Sequence, residues 1–287
     1  MTGKRKRLFS VGALLLVLCL LTSALGFFIR HGDITYRLWV QMRSDSAPSL
    51  EEVDVSDWSH YSLSDVVRMP NVRMTEHVML VRDTYPLPDG FEPTLVEYNG
   101  AYMHPDMVNA YVALRDEIDR QTGTRIYVSS DYRTKEEQAE ILAESGDGVA
   151  AQVGCSEHET GLALDVYVPY FAGENILKTN AGRMLGEICS DYGFIIRYPL
   201  SKETVTGITY EPWHLRYVGA PHAEIMTESG VTLEEYLDLL QVGRCYGNGE
   251  YLIYRCASDG FFLPNAYQWC EISPDNTGFY LVTVKKS

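Results

Sequence analysis

The strongest constraint on how this chain can fold is a pair of short stretches far apart in sequence that make chemical sense only together. One is Cys155-Ser156-Glu157-His158-Glu159-Thr160-Gly161-Leu162-Ala163-Leu164-Asp165, the other Glu211-Pro212-Trp213-His214. The first offers a histidine and a carboxylate seven residues apart, the second a carboxylate and a histidine three apart. A fold that brings them together collects two imidazoles and one carboxylate around a metal. One carboxylate is left over as a base. That is the donor set of a catalytic zinc site, which takes three protein ligands and keeps a fourth position for water.

The local patterns around these stretches describe the scaffold. Gly161 to Val168 reads as a strand with Leu162, Leu164 and Val166 on one face and Ala163, Asp165 and Tyr167 on the other. Asp165 is an acid in an otherwise apolar strand and needs a partner, for which a cation serves well. Gly193 to Pro199 reads as another strand. Glu211 and His214 would face opposite sides of a flat strand, and face one way only if Pro212 introduces a turn or bulge. Upstream, Pro105 fits the first turn of a helix. Met107, Val108, Tyr111, Leu114 and Ile118 recur at the spacing of one apolar helix face, and Gly123 ends it. Val78 to Val81 reads as a short strand and Arg125 to Ser130 as a buried one. Thr134 with Glu137 has the form of a capping box, so Arg133 stands at a strand-to-helix junction, where functional side chains are often presented. Asn180 to Tyr192 is helical, and a last helix begins over Val231 to Leu237.

The ends of the chain have a different character. Lys4, Arg5, Lys6 and Arg7 precede Leu8 to Ile29, a run without a charge, and Arg30 follows. About 20 apolar residues suffice to cross a bilayer. The basic flank predicts a cytoplasmic N-terminus and a single-pass membrane protein whose remainder is extracellular. A signal peptide cleaved after Thr22-Ser23-Ala24 is the rival reading. Five of the 24 Lys and Arg precede His31, which leaves 19 against 39 acids, a net of −20. Such a surface excludes nucleic acid as a partner, because that binding depends on neutralising phosphates. Of the six cysteines, Cys155, Cys189, Cys245, Cys256 and Cys270 follow the apolar run, and one bridge among the last three is expected. Residues 31–90 read as a stalk on the strength of Ser44 to Ser49 and of Pro86, Pro88 and Pro93. Residues 241–287 read as a small β-rich appendage, from runs at Tyr251–Tyr254, Phe261–Leu263 and Gly278–Val284. His31, His60, His77, His104 and His222 match no ligand spacing and are taken as ordinary.

Three motifs in this order resemble the VanY-type D-alanyl-D-alanine carboxypeptidases, zinc peptidases of bacterial cell walls. They are Ser129-Ser130-Asp131-Tyr132-Arg133-Thr134, Ser156 to Asp165, and Glu211-Pro212-Trp213-His214-Leu215-Arg216-Tyr217-Val218-Gly219. The resemblance covers residues 91–240. It implies an α+β domain, a small antiparallel sheet with flanking helices, carrying one zinc ion. It implies that His158, Asp165 and His214 bind the zinc, that Glu211 is the catalytic base, that Arg133 receives the substrate's terminal carboxylate and that Ser156 lines the substrate pocket. Asp131 stands where the family usually has glycine, and Gln152-Val153 replaces a stretch often rich in proline. The implied reaction is D,D-carboxypeptidase removal of the terminal D-alanine from peptidoglycan stem peptides, which would lower susceptibility to glycopeptide antibiotics. L,D-carboxypeptidase action on tetrapeptide stems is the enzymatic alternative, and a non-catalytic peptidoglycan-binding module the other.

Overall fold

The computed structural model describes residues 22, 31–43, 48, 50–145 and 150–287. In chain order its strands are β1 (Glu51–Val53), β2 (Ser59–Tyr61), β3 (Val72–Met74), β4 (Val96–Tyr98), β5 (Ala101–Met103), β6 (Tyr127–Ser130) and β7 (Ala163–Tyr167), then β8 (Phe194–Ile196), β9 (His214–Tyr217), β10 (Cys245–Asn248), β11 (Tyr251–Cys256), β12 (Phe261–Leu263), β13 (Tyr267–Pro274) and β14 (Tyr280–Lys286). The helices are α1 (Gly32–Arg43), α2 (Leu63–Val66), α3 (Pro105–Thr122), α4 (Lys135–Ser145), α5 (Asn180–Ile188), α6 (Glu203–Thr206), α7 (His222–Ser229) and α8 (Leu233–Leu239).

Four strands in the order β6-β7-β9-β8 form an antiparallel sheet. Its inner face carries Leu164, Val166, Phe194 and Leu215, packed on Met107, Tyr111, Leu114 and Ile118 of α3 and Leu185 of α5. Burying one such side chain contributes roughly 1.5–3 kcal/mol, so the apolar stripe of α3 fixes which face of the sheet turns inward. The helix begins with Pro105 at its first position. It ends at Gly123, whose φ of 66° is a left-handed cap that costs glycine little. Because side chains alternate along a strand, placing Leu164 and Val166 inward turns Asp165 outward, and the register sets it opposite His214. Strand β6 is an edge strand, with a bulge between Val128 and Ser130 and Tyr127 exposed, and not the buried strand expected of Arg125 to Ser130.

A second sheet of six strands runs β1-β10-β11-β14-β13-β3. The β runs after residue 244 are therefore strands, but they do not stand alone. β1 pairs with β10, β3 runs parallel to β13, and β2 pairs with β12. Where a stalk was expected, residues 51–74 are woven into the C-terminal β structure. The polar composition of Glu51-Glu52 and Arg73 suits edge strands. Tyr36 of α1 is buried in the main core beside Gly186, where a Cβ would lie 1.8 Å from the Tyr36 hydroxyl. Val78 to Val81 is buried without being a strand, as an extended loop whose Leu80 N–H donates to the Asp275 carbonyl.

The expected transmembrane helix ahead of the domain is corrected. Among the described residues no helix is long and apolar enough to cross a membrane. Helix α1 has 12 residues, with Asp33 and Arg37 among them, and at 1.5 Å per residue it falls well short of a hydrocarbon core of about 30 Å. The run Leu8 to Ile29, apart from Thr22, lies outside the described residues. The expected bridge among Cys245, Cys256 and Cys270 is corrected as well, since all three are free. Their cross-strand partners are Tyr254, Tyr280 and Val284, so the register sets none of them opposite another. Burial pushes each of these thiols up to about 12.

One buried histidine makes the fold sensitive to pH. His222 on α7 bonds Tyr236 Oη of α8 and Thr283 Oγ1 of β14, each at 2.8 Å. Burial lowers its pKa to about 4. The unfolded chain then binds the extra proton first, so stability is complete above about pH 6.5 and is lost between there and about pH 4. The loss is a few kcal/mol, at about 1.4 per pH unit. Urea midpoints measured from pH 7 to 4 should fall steeply, and His222→Gln should flatten that slope. An unchanged slope in the variant would assign the pH dependence to other groups.

Candidate metal centre

His158 sits in a single 3-10 turn, Glu157–Thr160. The Glu159 carboxylate braces this turn by accepting the backbone N–H of Gly154 at 2.8 Å and of Ser156 at 3.3 Å. Gly161, at φ 70°, then swings the chain into β7. His158 Nδ1 lies 2.8 Å from the Asp131 carbonyl. A carbonyl only accepts, so Nδ1 carries the hydrogen and Nε2 presents its lone pair. That lone pair faces Asp165 Oδ2 at 3.4 Å. On the other side, Asp165 Oδ1 is 2.9 Å from His214 Nδ1. One donor atom from each of the three residues falls within 4.8 Å of the others.

Behind His214 lies a buried charge network. Glu157 is fully enclosed and accepts Arg197 Nε at 2.7 Å and Arg216 Nη1 at 2.8 Å through the same oxygen. Glu234 closes the network on Arg197 at 2.7 and 2.9 Å. Burial opposes the Glu157 charge, but Arg197 and Arg216 outweigh it and hold the carboxyl well below the usual range. The other oxygen of Glu157 has no hydrogen bond and stands 3.6 Å from His214 Nε2, which also has none.

These residues fit a zinc ion. Two imidazoles and one carboxylate converge at one place, His158 is fixed in the tautomer that ligates through Nε2, and the unpartnered His214 Nε2 faces a carboxylate. The last two arrangements are those that orient metal-bound histidines. Burial opposes the charge on His214, but Asp165 and Glu157 outweigh it and push its pKa up to about 9, the mark of a place that favours positive charge. Burial lowers His158 instead.

The remaining residues expected at the site surround this centre. A two-residue turn at Pro212-Trp213 separates Glu211 from β9, so Glu211 and His214 do face one way, with a carboxylate oxygen 3.8 Å from His214 Nδ1. Burial raises the Glu211 pKa. Ser156 is buried two residues before His158. The Arg133 backbone N–H donates to the His158 carbonyl at 3.2 Å. Its guanidinium donates to Gln138 Oε1 at 2.6 Å and Ser130 Oγ at 3.0 Å. The ion pairs among the described residues do not include Arg133, and burial lowers its pKa. It is a desolvated cation held by neutral groups. Asp131 accepts the Tyr102 N–H, which ties the β4–β5 hairpin to the loop before Arg133. Burial raises the Cys155 thiol, the opposite of what a nucleophile needs.

Sequence reading passed over Glu157, Arg197, Arg216 and Gln138. A signal was present for the first three. His214 and Arg216 are two apart on one strand, so they share a side, and an arginine in a buried strand requires an acid nearby.

The comparisons with known proteins agree with this geometry. The family model for VanY, D-alanyl-D-alanine carboxypeptidase, matches residues 100–220. A D-alanyl-D-alanine carboxypeptidase of Enterococcus faecium is 38% identical over 193 residues, 64% of this chain and 61% of that protein. The bifunctional D-Ala-D-Ala dipeptidase and carboxypeptidase VanXYC of Enterococcus gallinarum is 34% identical over 57% of this chain and 94% of its own. Among solved structures, the vancomycin-resistance D,D-dipeptidase VanXYg, in complex with a D-Ala-D-Ala phosphinate analogue, superposes with a TM-score of 0.60. It is 29% identical over 74% of this chain and 94% of that one. A VanY D,D-pentapeptidase mutant from a VanB-type resistance cassette, in complex with Zn(II), has a TM-score of 0.51 at 32% identity over 56% and 98%. The LdcB LD-carboxypeptidase has a TM-score of 0.53 at 30% identity over 62% and 94%. The chain spans about three fifths of the Enterococcus faecium relative and nearly all of VanXYC. With the motifs, the register and the donor set all in place, the chain belongs to the VanY family of zinc D-alanyl-D-alanine carboxypeptidases.

Proposed function

We propose that this chain is a zinc D,D-carboxypeptidase that hydrolyses the last peptide bond of peptidoglycan stem pentapeptides and releases D-alanine. The observation that carries this reading is the pairing of a three-donor metal centre with a half-buried arginine whose guanidinium is held by Gln138 and Ser130 and makes no ion pair among the described residues. His158, Asp165 and His214 would hold the zinc. Bound there, zinc supplies Lewis acidity toward the scissile carbonyl and lowers the pKa of water. Glu211 takes the proton of the attacking water and hands it to the leaving amine, a task suited to a carboxylate whose pKa burial has raised. Arg133 offers two parallel N–H groups to the terminal carboxylate, so the enzyme reads a chain end and not a mid-chain bond. Ser156 lines the same pocket. The work would be done outside the cytoplasm, where cross-linked stem peptides lie. By removing the D-Ala-D-Ala terminus it would lower glycopeptide susceptibility.

The likeness to LdcB supports a second reading, L,D-carboxypeptidase action on tetrapeptides with the same residues. Both are tested by incubating the purified protein with a muramyl pentapeptide and with a tetrapeptide, with and without a chelator, and following free alanine by mass spectrometry. Chelator-sensitive release from the pentapeptide alone is the expected result. Release from the tetrapeptide alone would establish the second reading, and release from neither would refute both.

A further inference from the structure

The structure assigns a second metal site to His77, His104 and Asp106, and we propose that it binds a divalent transition metal of the zinc type that fastens α3 to the C-terminal sheet. The three residues come from different places. His77 lies in the loop after β3, while His104 caps α3 and Asp106 is in its first turn. One ring nitrogen of each histidine and a carboxylate oxygen of Asp106 lie within 4.8 Å of one another. Asp106 Oδ2 stands between the rings, 3.1 Å from His77 Nε2 and 3.8 Å from His104 Nδ1. Both histidines are buried, and their rings meet edge to face with centroids 5.5 Å apart. The Asp106 side chain is 28% exposed, which leaves an approach from solvent.

Charge favours a cation at this place. His77 Nδ1 is buried without a hydrogen bond and stands 3.5 Å from a Glu271 oxygen. Glu76 is 3.9 Å from His104 Nε2. The cluster therefore gathers three carboxylates and one guanidinium around two imidazoles, so with both imidazoles neutral, as metal ligands must be, it carries a surplus of two negative charges that a divalent ion would cancel. Arg73 donates to Asp106 at 2.8 Å and to Glu271 at 2.5 Å. Outer contacts of this kind orient a ligating carboxylate. His104 Nδ1 accepts the Asp106 backbone N–H at 3.2 Å, and ligation through this nitrogen gives up that cap. Imidazole and carboxylate together suit zinc and its first-row neighbours better than calcium or magnesium. The assignment does not depend on the reaction proposed above.

The test is a metal count on the full chain, saturated with zinc, dialysed against metal-free buffer and analysed by mass spectrometry of the elements. Two zinc ions per wild-type chain are expected, and one each in His104→Gln, His77→Ala and His158→Ala. His104→Gln should keep D-alanine release within about twofold of wild type. A single zinc in the wild type, or two in both the His77 and the His104 variants, would overturn the site. Should either of those variants fail to fold, cobalt loading of His158→Ala decides. Visible absorption bands of bound cobalt support the His77 cluster, and their absence overturns it.

Discussion

Replacing Glu211 by alanine should leave the zinc bound and lower the rate of D-alanine release by roughly 10²- to 10⁴-fold, the span that a positioned general base contributes. Glu211 is separated from β9 by the Pro212-Trp213 turn and lies 3.8 Å from the nitrogen that His214 turns toward Asp165. It is outside the three-donor set, so metal content should not change. Its carboxylate, with a pKa raised by burial, takes up a proton more readily than an exposed glutamate does, which suits a base. Glu211→Gln keeps the shape and removes the base, and should be as slow as the alanine variant. The pair of measurements is zinc per chain and single-turnover rate. Turnover near wild type in either variant would remove Glu211 from the base role. Loss of zinc would make it a ligand.

Arg133→Ala should reduce kcat/KM for a peptide with a free C-terminus by roughly 10²- to 10³-fold, while amidated peptides, poor substrates already, change little. Two charge-assisted hydrogen bonds at roughly 1.5–3 kcal/mol each set the upper bound. Gln138 and Ser130 hold the guanidinium without neutralising it, so its charge is available to a ligand. Lysine should not restore the rate, because a point charge cannot match both carboxylate oxygens. Competition between the free acid and the amide, read as a ratio of kcat/KM, checks the idea. Equal cleavage of both by the wild type would sink it.

The site was largely legible because its chemistry is concentrated in short motifs. The alternation along Leu162 to Val168 already placed Asp165 on the face opposite Leu164 and Val166, which the register then sets against His214. Pro212 offered the break that would let Glu211 and His214 face one way, and the structure has a turn there. Helix α3 was legible for the same reason, since Met107, Tyr111, Leu114 and Ile118 repeat at helical spacing and are buried. What could not be read depends on partners distant in sequence. Strands of three residues such as β1 and β3 have too few positions to show a period, and only pairing with β10 and β13 makes them strands. Glu157 looks like any acid in a polar turn until Arg197 and Arg216 enclose it. His77 and His104 were set aside because neither lies in a recognised motif, and only the fold carries the loop after β3 to the start of α3.

The weaving of residues 51–74 into the C-terminal sheet bears on how the chain acquires its structure. β3 finds its neighbour only when Cys270–Ile272 has been synthesised, and β1 waits for Cys245. Closing so long a loop adds little to the equilibrium cost, because that cost grows only with the logarithm of length. The rate is affected more, since distant pairings slow folding. The four-stranded sheet ends at Tyr217 and Glu234, which closes the charge network behind His214, lies on α8, so the elements around the candidate metal centre are all synthesised while these early strands still lack partners. The glutamates of β1 and Arg73 of β3 then act as guards against wrong neighbours, keeping the waiting edges in water until the last strands emerge.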